Sequence, residues 1–307
     1  MRTESFGCFA CAIIRKGLRI LQQGTDVVLD HEIPQGSKLY YGSSAKIKRQ
    51  TERIASEIFE EFGYTEILTP TFCYLEHQRN FKSREIVRLS NESNHPISLR
   101  IDSTLDLARI LNKRLQRSSQ NTKWFYIQPI FTYPTKEIHQ IGLESLATDT
   151  LDEVLHIAQR LVGALKLPCM WQLSNLNIPK LCSLYSSIPL EFFTRMDIPK
   201  LSQSDSYLAD LIAIATTQDV QDFLKKAPDF LKADLEKLLE LGANIDEANK
   251  VFVPLYYPKI PYYNHLCFRL FWKNATLLSG GQYEINGASA SGFALYTDAV
   301  IETIREG

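Results

Sequence analysis

The stretch from Trp124 to Leu146, WFYIQPIFTYPTKEIHQIGLESL, limits what this chain can fold into more than any other segment. Trp124 to Phe131 is an apolar, aromatic and β-branched run. The polar segment Tyr133-Pro134-Thr135-Lys136-Glu137 follows, and the chain returns as His139-Gln140-Ile141-Gly142-Leu143-Glu144. Such runs on either side of a turn predict strand, loop, strand. Strand side chains alternate between faces, so Gln140, Gly142 and Glu144 share one face while Ile141 and Leu143 take the other. An amide and a carboxylate spaced by a glycine make a polar floor with room above it, suited to an amine-bearing small molecule. The same alternation also describes a half-solvated edge face, which is the commoner meaning of the pattern.

The remainder of the chain sets limits on function class. With 307 residues, 45% of them hydrophobic and 22% charged, it is long enough for one large domain or two moderate ones. No stretch approaches the ~18 uninterrupted apolar residues of a membrane helix. A net charge of -1 argues against a dominant nucleic-acid surface, and Lys46-Ile47-Lys48-Arg49 reads as the solvated side of a helix. Cys73, Cys169, Cys182 and Cys267 are scattered among apolar neighbours, as suits reduced cysteines in a cytoplasmic protein. Cys8 and Cys11 form a CxxC without a second pair or a His cluster at zinc spacing, so no metal site is expected. Residues 1–27 read as a loose N-terminal extension before a domain over 28–307.

Within that domain a helix is expected from about Ser44 to Phe62, with Ile47, Ile54, Ile58 and Phe62 on its buried side and Gly63 ending it. Tyr64 to Thr71 reads as a strand with Pro70 near its end. Ile86–Leu89 and Ile97–Ile101 read as short strands. Asp102 is an N-cap for a helix running to about Leu115. Thr150 and Glu153 have capping-box spacing ahead of another helix, and Trp171–Ser174 is a strand. Residues 180–250 are dominated by helical patterns and read as an inserted helical subdomain. Strands return at His265–Trp272 and Ala275–Ser279, joined by a hairpin turn at Lys273-Asn274. Gly280-Gly281-Gln282-Tyr283-Glu284 follows, and Ala290 to Leu295 is expected to open a last helix. There is no Walker loop and no GxGxxG fingerprint.

Singly these motifs are weak, but their order is specific. The series Gly63-Tyr64 to Pro70, Leu99-Arg100-Ile101-Asp102-Ser103-Thr104, Phe131 to Glu144, Tyr262-Tyr263, Gly280 to Glu284 and Gly292-Phe293-Ala294-Leu295 resembles the catalytic core of histidyl-tRNA synthetases, over roughly residues 30 to 304. That resemblance implies an α+β fold, an antiparallel sheet flanked by helices with a helical insertion. It places Pro70 at the motif 1 dimer interface. Gln140 and Glu144 match the pair that holds the histidine side chain and amine. Asp102 and Thr104 match the amino-group pair, with Asp where synthetases usually carry Glu. Tyr262 and Tyr263 match the double tyrosine lining the histidine pocket.

The departures change the implied function. Thr132 stands where motif 2 of the class carries an arginine, Pro258 where the histidine-specific arginine belongs, and Ala299 where motif 3 has one. Adenylation spreads negative charge that fixed guanidiniums stabilise, and these residues supply none. The chain also ends straight after motif 3, where an anticodon-binding domain would follow. This combination is similar to the family of ATP phosphoribosyltransferase regulatory subunits. The resemblance implies a non-catalytic, cytoplasmic protein without cofactor or metal, active in the first step of histidine biosynthesis. Its partners would be a short-form catalytic subunit and a second copy of itself, with histidine as feedback effector and no tRNA or membrane. Two other readings stay open: a stand-alone ligase that activates an amino acid, for which Lys136, Lys259 and Arg269 could meet phosphates, and a pure scaffold with a vestigial pocket.

Overall fold

The structure is a computed structural model. It describes residues 32–306 apart from 80, 112, 114–120, 147–149, 204, 259–262 and 286; the expected extension, with Cys8 and Cys11, lies outside the described residues. The chain divides into a unit Met1–Leu39 and a unit Tyr40–Gly307. In the first, the Ser37 amide donates to the Pro34 carbonyl at 3.0 Å and closes a turn at Gly36.

The second unit begins with helix α1, Gly42–Glu61. Its deepest line is Ala55, Ile58 and Phe59, with the expected Ile54 and Phe62 flanking it. Gly63 leaves the helix with a positive φ of 78°, as a C-terminal stop requires. The strand expected over 64–71 shortens to β1, Thr65–Glu66. Past it, Thr69 and Pro70 are drawn out of strand pairing by side chains: Gln128 Oε1 accepts from the Thr69 amide at 3.1 Å, and the Arg100 guanidinium donates to both carbonyls. Next come β2, Phe72–Tyr74, β3, Arg88–Ser90, and β4, Pro96–Leu99, which form a small antiparallel sheet in the order β2-β4-β3. Helix α2 follows at Ser103–Ile110, then β5, Lys123–Thr132, and β6, Lys136–Ser145. These last two are the expected hairpin, with a turn of only Tyr133 to Thr135.

Helix α3, Leu151–Ala164, starts where expected but without the capping box. The two side chains have tertiary partners instead. Thr150 Oγ1 bonds Ser291 Oγ at 3.0 Å, while Glu153 receives the Tyr64 hydroxyl at 2.9 Å and Lys123 Nζ at 2.8 Å. After β7, Met170–Asn175, the helical insertion begins. It holds α4, Asn177–Ser186; α5, Leu190–Arg195; α6, Ile198–Ser202; α7, Ser206–Ala213; α8, Thr217–Leu224; and α9, Asp229–Gly242. Phe193, Leu201, Leu208, Leu231 and Leu235 are fully buried there and belong to one apolar core with the sheet residues Leu173 and Phe252.

The chain then adds β8, Lys250–Phe252; β9, Tyr263–Trp272; β10, Ala275–Ile285; β11, Ala288–Tyr296; and α10, Thr297–Glu306. Ala290 to Leu295 is therefore strand, not the start of the last helix. Its run of Ser, Ala and Gly pairs with β10 on one side and β6 on the other, and these eleven ladder partners outweigh the local helix tendency of alanine and leucine. The large sheet runs β1-β5-β6-β11-β10-β9-β7-β8; its middle is antiparallel and its two edge pairs, β1/β5 and β7/β8, are parallel. The α+β class with a helical insertion holds, with a mixed rather than wholly antiparallel sheet.

Strand parity gives this sheet two unlike faces. Phe125, Ile141, Leu143, Phe293, Leu295, Leu278, Phe268 and Leu173 point one way and are buried with α1 and α3 in the main core. Their alternates, Tyr126, Gln140, Glu144, Gly292, Ser279 and Tyr283, point the other way, where α2 lies across the β5–β6 end. Among the described residues no helix is long and apolar enough to cross a membrane, and the four described cysteines are free thiols.

Candidate functional site

The polar face of β6 ends in a closed floor. Gln140 and Glu144 are both buried, Glu144 almost completely. The space expected above Gly142 is occupied by the Tyr126 ring from the neighbouring strand, and a Cβ at Gly142 would overlap that ring. On β11, Gly292 likewise leaves room for a neighbour's side chain, here the Glu144 carboxylate. The two glycines are sites of close approach, so the floor is tiled with aromatic and carboxylate groups.

A cavity of about 450 Å³ opens over this floor. Its walls include Asp102 and Thr104 from the start of α2, Tyr126 and Ile130 from β5, Gln140 and Glu144 from β6, Tyr263 from β9, Ser279 and Tyr283 from β10, and Tyr296 from β11. Phe81, Lys82 and Glu85 stand at its rim. The predicted site residues Asp102, Thr104, Gln140, Glu144 and Tyr263 thus meet in one place. Tyr262 lies outside the described residues.

Each wall residue is placed by local structure. Asp102 is the N-cap of α2 as expected, its Oδ1 accepting from the Leu105 amide at 2.8 Å. The cap fixes the helix start, which aims Thr104 at the sheet. Thr104 Oγ1 donates to Glu144 Oε1 at 2.5 Å, and the Tyr283 hydroxyl donates to Glu144 Oε2 at 2.5 Å. Gln128, on the same face of β5, ties Ser103 to Thr69 with amide bonds of 3.1 Å to each hydroxyl. Tyr263 stands opposite Tyr283 in the β9–β10 ladder, and Tyr296 stands opposite Gln140.

The electrostatics follow from burial. Desolvation pushes the Glu144 carboxyl up to about 8; hydrogen bonds from Thr104, Tyr283 and Tyr126 oppose the rise and the Asp102 charge adds to it. Burial likewise raises the hydroxyls of Tyr126, Tyr263 and Tyr283 well above the usual tyrosine range, so all three act as neutral donors and acceptors. A dry carboxyl ringed by hydroxyls, with a second carboxylate at Asp102, has the chemistry to accept an N–H cation or an imidazole N–H.

Tyr126, Tyr283 and Tyr296 were not among the predicted site residues. The signal for Tyr126 was present: hairpin parity places it opposite Gly142. Tyr283 and Tyr296 required the register of β10 and β11, which pairing with distant strands sets. The three positions at which the resemblance implies arginines are not among the described residues lining this cavity: Thr132 is the last residue of β5, Pro258 is buried, and Ala299 lies in α10, packed against the main core beside Asp298, whose Oδ1 accepts the Tyr40 hydroxyl at 2.7 Å.

Residues 40–300 match the family described as histidyl-tRNA synthetase. The chain is 51% identical over 278 residues to an ATP phosphoribosyltransferase regulatory subunit of Wolinella succinogenes, covering 91% of this chain and 97% of that relative. It is 48% identical to another of Helicobacter hepaticus, covering 91% and 99%. Among solved structures, it superimposes with a TM-score of 0.76 on an ATP phosphoribosyltransferase regulatory subunit/histidyl-tRNA synthetase from Bacillus halodurans, at 17% identity and over 89% of this chain and 83% of that one.

Proposed function

We propose that this chain, which belongs to the histidyl-tRNA synthetase family and within it to the ATP phosphoribosyltransferase regulatory subunits, holds histidine in the Glu144 cavity without activating it. Its role is that of a regulatory subunit in histidine biosynthesis, in complex with the catalytic ATP phosphoribosyltransferase. Feedback by histidine is then a difference in affinity between two states of that complex.

One observation carries this reading. Glu144, Thr104, Gln140 and Tyr283 line one cavity, whereas Thr132, Pro258 and Ala299 stand where the synthetase resemblance implies arginines. A site with partners for an amine and an imidazole, and without arginines at these three positions, fits recognition of an amino acid rather than its activation.

Reconstitution with a short-form ATP phosphoribosyltransferase tests it. The expected result is a stable complex, raised phosphoribosyl transfer, and loss of that activity as histidine is added. Activation without a histidine response would leave only the scaffold reading. Histidine-dependent ATP–pyrophosphate exchange by this chain alone would favour the ligase.

The self-association reading rests on the small sheet. Phe72, Tyr74 and Leu89 alternate onto its outer face and are 60%, 56% and 41% exposed, beside Leu68 at 67%. An apolar strip of that kind next to Pro70 fits a second copy of this chain. Phe72→Glu is expected to give a monomer by light scattering where the parent chain gives a dimer.

A further inference from the structure

We propose that Lys82 at the cavity rim binds the carboxylate of the bound amino acid and so makes the site select a zwitterion over a simple amine. The inference rests on the reading of this cavity as a histidine site and adds a specificity residue to it.

The floor and wall accommodate only one end of an amino acid. Glu144 and Asp102 supply carboxyl groups for an ammonium or an imidazole N–H. A free carboxylate placed among them would face like charge unless a cation stood near. Among the described residues that line the cavity, Lys82 alone carries a fixed positive charge. The positions where the synthetase resemblance implies arginines bring Thr132, Pro258 and Ala299 instead. The carboxylate therefore points outward, to the rim.

The backbone there is anchored although the Lys82 side chain is exposed. Lys82 leads into a tight helical turn, Ser83–Glu85, closed by the Glu85 amide donating to the Lys82 carbonyl at 2.8 Å. The Glu85 carbonyl in turn accepts the Tyr133 amide at 2.9 Å, which ties the rim to the turn of the β5–β6 hairpin. The next residue, Ile86, is buried. These bonds connect the rim to the hairpin whose second strand carries Glu144. Glu85 also faces the cavity and is the local rival for the Lys82 ammonium. An exposed lysine–carboxylate contact is weak, so a ligand carboxylate held from the other end by Glu144 and Asp102 competes with it effectively.

Calorimetric titration of the intact chain with histidine and with histamine, which lacks the carboxylate, tests this. The parent chain is expected to prefer histidine by about tenfold or more, the worth of a charge-assisted bond. Lys82→Met is expected to weaken histidine by about tenfold and leave histamine unchanged or tighter, since a like charge has been removed; Lys82→Arg restores the preference. Equal weakening of both ligands by Lys82→Met, or no effect on histidine, overturns the assignment while leaving the histidine site in place. Binding of neither ligand to the parent chain overturns the site reading, and this inference with it. A melting curve for Lys82→Met matching the parent confirms that the comparison concerns binding alone.

Discussion

The two faces of the large sheet are built from the same strands and answer to different physics. On one face Phe125, Leu143, Phe293 and Leu278 are almost fully buried, and Phe59 of α1 meets Phe125 and Phe293 edge-on at ring separations of 5.4 and 5.9 Å. That face is held by volume and apolar burial. On the other face Glu144 is just as dry, yet its neighbours are the hydroxyls of Thr104 and Tyr283. There the fold keeps a carboxyl where burial disfavours its charge. Residues one step apart, Leu143 and Glu144, thus stabilise and destabilise the same strand. The polar face costs stability, and the apolar face supplies it.

The comparison can be broken at its apolar side first. Leu143→Ala should lower unfolding free energy by about 2–5 kcal/mol in urea denaturation, by lost transfer and by the cavity left behind. Histidine affinity of the molecules that remain folded should change little. If affinity fell as far as stability, the two faces would not be separable.

Glu144→Gln cuts the other way. Histidine binding should weaken about a hundredfold, as for a buried charge-assisted contact, while the free protein gains stability at neutral to alkaline pH. The sign comes from the carboxyl being raised from 4.5 to about 8. The folded state holds a proton that the unfolded chain releases, so this contribution is intact below about pH 4.5 and is lost as pH rises toward 8. Asp102, Tyr126 and Tyr283 face the same carboxyl, and glutamine leaves them in place. Melting temperature measured from about pH 5 to pH 9 should therefore fall less steeply for the variant than for the parent.

The finest test is Tyr283→Phe, which removes one hydroxyl from Glu144 and keeps the ring. An effect of about 1 kcal/mol, or several-fold in histidine affinity, is expected by titration calorimetry. A change as large as that of Glu144→Gln would mean that the tyrosine, not the carboxyl, is the receptor.

The hairpin and its parity were legible in the sequence because both depend on residues a few positions apart. So was the N-cap at Asp102, where one short side chain precedes a helical run. The depth of Glu144 was not. From Gln140 to Glu144 alone, a half-solvated edge is the simplest reading, and β6 becomes interior only because β11 pairs with it. β11 itself reads locally as helix for the same reason: nothing in Ala290 to Leu295 reveals that β10 and β6 stand on either side. Gly142 does mark open space above its own strand. The occupant of that space, Tyr126, comes from the neighbouring strand. The capping box of Thr150 and Glu153 does not form because distant partners claim both side chains.

Arg100 carries one further consequence. Its guanidinium is buried and grips carbonyl oxygens at Thr69, Pro70 and Pro129, the last by two contacts of 2.6 and 3.1 Å. It acts as a strut between β5, a wall of the cavity, and the segment that leads into the exposed Phe72–Tyr74 strip. Stretching it would strand a desolvated charge, which opposes separation of the two sides. The cavity wall and the exposed strip are thus tied through two buried side chains, Arg100 and Gln128, and a displacement that broke these bonds would leave buried polar groups unpaired on both sides.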